Sequence, residues 1–118
     1  MRRLMAIGAL ALATAVTTIP LGAAATTLTG EVVDVQCHLK DATNKGTDHA
    51  DCALSCARRG ATMGLLTADG VYTITGDYTK ENNKKLIEFV ARQVEATGEV
   101  TEKDGKKLIE LSTLAPAP

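Results

Sequence analysis

Apolar and polar positions change their rhythm twice along the chain. From Leu4 to Val16 the residues are apolar almost without a break. After residue 25 alternation takes over: Leu28, Val33 and Val35 alternate with polar residues and β-branched types dominate, which predicts a strand over 26–35 with a bend or bulge at Gly30. Residues 36–48 follow neither period and read as a loop. Asp48 is a candidate cap for a short helix over 49–59, with Asp51 completing an imperfect capping box. Arg58 and Arg59 suit the negative end of that helix, and Gly60 suits the left-handed position that ends it.

Alternation resumes beyond Gly60. Residues 61–67 and 71–76 flank Ala68-Asp69-Gly70 and read as a hairpin. Residues 80–85 are polar and turn-like, and Leu86, Ile87, Phe89 and Val90 form an apolar anchor. Residues 93–101 and 107–114 read as a second hairpin about Asp104-Gly105, and Ala115–Pro118 as a flexible tail that frays. The order is strand, helix, two strands, short linker, two strands. It predicts a mainly β fold, a small five-stranded antiparallel OB-like barrel with one inserted helix, spanning 26–114 as a single domain. The insert follows the first strand, whereas the helix of a standard OB barrel lies between strands three and four, where residues 80–90 fall. A flat five-stranded sheet covered by the helix is the alternative. With Phe89, Tyr72 and Tyr78 as its only aromatics, the domain builds a small core, and a disulfide or metal staple would help it.

The opening stretch has a separate explanation. Arg2 and Arg3 precede the apolar run, Pro20 and Gly22 break it, and Ala23 and Ala25 supply small residues for cleavage. Residues 1–25 therefore read as a secretory signal peptide cut after Ala25, which leaves 93 residues. No later run is long enough to cross a bilayer, so the mature protein is expected in the periplasm or secreted, free of the membrane. The full chain has 13 basic and 14 acidic residues; without Arg2 and Arg3 the balance is 11 to 14, a net charge of −3 with neutral histidines. A mildly acidic body with three aromatics is a poor nucleic-acid binder, which excludes that function class here.

The chemistry-bearing residues are crowded together. All three cysteines and both histidines lie in residues 37–56: Cys37, His38, His49, Cys52 and Cys56. At about 100° per residue, His49, Cys52, Ala53, Cys56 and Ala57 share one helix face, and Asp51, Ser55 and Arg58 fall opposite. Cys37, at the end of the first strand, can reach the same place. Three readings fit. Cys37, His49, Cys52 and Cys56 are four candidate ligands for Zn(II) or Cu(I), since thiolate and imidazole suit both ions. Alternatively Cys37 forms a disulfide with Cys52 or Cys56 in an oxidising compartment, leaving one free thiol. A Cys52–Cys56 bridge is disfavoured, because successive helical turns hold the two residues apart. Finally, the cysteines are small buried apolar residues. His38 reads as a surface histidine. No C-x-x-C, C-x-x-C-H, Ser-His-Asp pattern, Gly-rich fingerprint or P-loop is present, so no catalytic residue is nominated.

The segments T-G-E-V-V-D-V-Q-C (29–37), H-A-D-C-A-L-S-C-A-R-R-G-A (49–61) and V-E-A-T-G-E-V (94–100) resemble small exported bacterial proteins of unknown function with an OB-like barrel. The resemblance spans most of 28–112 and implies fold and compartment, with no activity to carry over. Three functions remain in view: a binding module whose cluster holds a soft metal, a disulfide-stapled module that binds a small ligand or another exported protein, and a thiol redox protein.

Overall fold

In the computed structural model, which describes residues 25–118, five strands carry the fold: β1 (Thr26–Asp34), β2 (Met63–Thr67), β3 (Gly70–Thr75), β4 (Gln93–Lys103) and β5 (Lys106–Pro116). The expected leader lies outside the described residues except for Ala25. Each strand is paired on both sides, in the order β1-β2-β3-β5-β4 and back to β1, so the sheet closes on itself. Four ladders are antiparallel and one, β3 with β5, is parallel. This corrects the all-antiparallel expectation, and the reason is arithmetic. A closed ring with an odd number of strands cannot alternate direction at every step, so at least one neighbouring pair must run parallel.

The strands begin and end close to where alternation places them. Beyond Leu114, β5 continues through the expected tail, pairing Ala115 with Glu95 and Pro116 with Val94, and the Ala117 amide donates to the Gln93 carbonyl at 3.0 Å. At Gly98 a register shift bends β4 as it crosses β5. A Cβ there would collide with the Glu110 carbonyl, so only glycine permits the approach that closes the ring.

Inward-facing Val32, Met63, Leu65, Ile74, Val94, Ala96, Ile109 and Leu111 form the core. Leu86 and Val90 plug it from the 80–92 connection, as the apolar pattern predicts, and the Val32 carbonyl accepts the Ala91 amide at 2.9 Å. Two helices lie between β1 and β2. The first, α1 (Val35–Lys40), occupies a stretch expected as loop. The second, α2 (Ala50–Arg58), follows a short turn at Thr47–His49 and lays buried Ala53 and Ala57 on the core. Those alanines let the helix axis come close to the strands.

The end of α2 is closed twice. Gly60 takes φ of 84°, its amide donates to the Ala57 carbonyl at 2.9 Å, and the Ala61 amide donates to the Cys56 carbonyl at 3.1 Å. This is the paired hydrogen bonding of a left-handed helix stop, as the Arg-Arg-Gly sequence predicts. In addition, buried Asn83 donates its Nδ2 to the carbonyls of Ala57 and Ala61, both at 2.9 Å. To reach them, Glu81, Asn82 and Asn83 all adopt left-handed backbone angles, with φ of 53°, 54° and 59°.

Candidate metal centre

The site is built where β1 stops. Buried Asp34 is the last residue of β1 and the N-cap of α1: its Oδ1 accepts the amides of Gln36 at 3.0 Å and Cys37 at 3.3 Å. An N-cap carboxylate satisfies helix-start amides that would otherwise lack partners. This explains the correction at α1. Asp34 reads in sequence as part of a strand, yet it turns the chain and starts a helix that delivers Cys37 one turn later. The Cys37 carbonyl then accepts Asp41 N at 3.1 Å and Asn44 Nδ2 at 2.9 Å, folding the next segment back. The Gly46 amide donates to the buried Glu31 carboxylate at 2.7 Å and fastens that segment to β1.

From the other side α2 supplies Cys52, exposed, and Cys56, half-buried. The three Sγ atoms of Cys37, Cys52 and Cys56 lie within 4.8 Å of one another. Three of the four expected ligands are therefore together. His49 is not a member of this group. Helical phase groups it with the cysteines, but the helix starts at Ala50, and His49 has φ of −107° and ψ of 0°. Its Nε2 is buried without a hydrogen-bond partner, as is Nδ1 of His38, so His38 is less a surface residue than its position after Cys37 predicts. Asp48 does not cap α2: the residue before the helix is His49, and no side chain accepts from its first amides.

Two groups beside the sulfurs were not nominated from sequence. The Asp34 carboxylate, which accepts the Cys37 amide at 3.3 Å, acts on the Cys37 and Cys56 thiols and favours their protonated forms. On the far side, Arg59 donates its Nη2 to Cys56 Sγ at 3.4 Å. Burial, followed by the Asp34 charge, pushes the Cys37 thiol up to about 11 from an ordinary value of 9.0. The Asp34 hydrogen bond and burial also raise Cys56, against a smaller opposing pull from Arg59. These thiols stay protonated at neutral pH. An attacking cysteine needs the opposite, a thiolate favoured by nearby positive charge, so this environment does not support the thiol-enzyme reading.

Three sulfurs at these separations suit a thiophilic ion. With metal–sulfur bonds of about 2.3 Å, tetrahedral directions put sulfurs about 3.8 Å apart. The three sulfurs, all within 4.8 Å of one another, are close to that spacing. All three cysteines are free thiols in this structure. The chain matches no protein-family model, no curated protein and no solved structure.

Proposed function

We propose that this is an exported small binding module whose Cys37, Cys52 and Cys56 hold a soft metal ion, Zn(II) or Cu(I), on an OB-like barrel. The observation that carries the reading is the convergence of three sulfurs from two helices within 4.8 Å. Soft thiolate donors select these ions. The OB-like assignment is supported by five strands in the ring order β1-β2-β3-β5-β4 with long connections after β1 and β3. Export and the resemblance to small exported bacterial proteins rest on residues 1–25 and the sequence blocks around the cysteines.

The test is native mass and metal analysis of the protein recovered from the periplasm. One metal equivalent, three protected thiols and an N-terminus at Thr26 are expected, with metal lost on Cys→Ser exchange at any of the three positions. A mass short by two hydrogens with no metal would replace this reading with the disulfide-stapled module. The same proximity of Cys37 to the helical thiols makes that the second reading.

A further inference from the structure

We infer that the Cys37–Cys52–Cys56 triad also takes up trivalent arsenic, presented as arsenous acid; this rests on the reading of the triad as an ion-binding site.

Donor number favours arsenic. The site gathers three sulfurs, and neither histidine belongs to the group. A structural zinc ion asks for four donors, so this triad leaves it one short. Trivalent arsenic forms three bonds in a pyramid and keeps a lone pair in the fourth direction. Three sulfurs that face one another satisfy it completely.

Charge favours it as well. Three thiolates carry −3, which gives an assembly of −2 around Cu(I) and −1 around Zn(II). Both would sit near the Asp34 carboxylate, which is only 2% exposed and accepts the Cys37 amide at 3.3 Å. Arg59 offsets one charge at Cys56. Accumulating like charge in a partly desolvated place is costly. A tris-thiolate of arsenic is neutral and avoids that cost.

The reaction balances without a redox partner: As(OH)3 + 3 RSH → As(SR)3 + 3 H2O. Three As–O and three S–H bonds break, three As–S and three O–H bonds form, and arsenic stays trivalent. Each thiol proton leaves in a water molecule. Exposed Cys52 is the point of entry, and the first bond makes the next two intramolecular. Arsenous acid is uncharged near neutral pH, so the net negative charge of the chain does not repel it.

The experiment titrates the reduced, metal-free exported protein with arsenite, and separately with Cu(I) and Zn(II). Intact mass and thiol counting are the readouts. One arsenic per chain with loss of three hydrogens and all three reactive thiols is expected, and each Cys→Ser variant should bind at least about tenfold more weakly. Asp34→Asn should tighten Cu(I) relative to arsenite. Capture of Cu(I) or Zn(II) without a three-thiol arsenic adduct, or an adduct that consumes two thiols, overturns this inference and leaves the metal site standing. Binding of none of the three overturns both. Equal shifts of Cu(I) and arsenite in Asp34→Asn overturn the charge argument that selects arsenic.

Discussion

Raising the pH should destabilise the metal-free protein through Cys37, and the size of the effect follows from its surroundings. In the folded chain this thiol titrates at about 11, against 9.0 for an ordinary cysteine. Below pH 9 the group is protonated in both states, and its contribution to stability is fully present. Between the two values the unfolded chain releases the proton while the folded chain keeps it, so stability falls as pH rises. Two units at about 1.4 kcal/mol each give a loss of about 2–3 kcal/mol by pH 11. For a domain of this size that is a melting shift of about 10 °C. Thermal melts of reduced, metal-free wild type and Cys37→Ser should be compared across this range. Lysines and tyrosines titrate in both proteins, so the difference between them isolates Cys37. The wild type should lose about 10 °C more than the variant. Parallel curves would refute the burial and carboxylate contact assigned to this thiol. Metal binding should move the opposite way, because the ion needs thiolates. With Cys37, Cys52 and Cys56 each surrendering a proton, apparent affinity should rise up to about 1,000-fold per pH unit near neutrality.

Asn83→Ala removes two buried hydrogen bonds and places alanine in a left-handed backbone, so urea unfolding should show a loss of about 2–4 kcal/mol. Asn83→Gly should recover about 1 kcal/mol of it; no recovery would show that backbone strain at this turn is negligible. His49→Ala should leave metal content unchanged, and loss of an equivalent would return His49 to the ligand set. Single-stranded oligonucleotides should not bind near physiological salt; micromolar, salt-sensitive anisotropy changes would contradict the charge and aromatic argument.

The strands were legible because one-sided burial writes period two into the sequence. Val94 and Ala96 point inward while Gln93 and Glu95 face water, and Ile109 and Leu111 repeat the pattern on β5. The turns were legible because Gly60, Gly70 and Gly105 occupy left-handed positions that other residues rarely adopt. The parallel β3–β5 pair was not, since local pattern carries no information on which distant strands become neighbours. The turn at Lys80–Asn83 was missed in detail for a related reason. Its left-handed run is held by the carbonyls of Ala57, in α2, and Ala61, just past its end, more than twenty positions away, and nothing local in Glu-Asn-Asn announces them.

At the site, helical phase places Cys52 and Cys56 together as observed but does not carry His49 to them, and the two outcomes share a cause. Phase relates residues only while they remain in one helix. Cys52 and Cys56 lie within α2, and His49 lies one residue outside it. Asp34 carries the local signal for α1. An aspartate three residues before Cys37 is the spacing of an N-cap, and an N-cap there converts the expected loop into α1. The same carboxylate starts the helix that brings Cys37 to α2, adds to burial in favouring protonated Cys37 and Cys56 thiols, and places a charge near any bound ion. Asp34→Asn keeps an N-cap oxygen for the helix while removing the charge. That substitution can therefore separate what this residue does for the fold from what it does for the sulfurs.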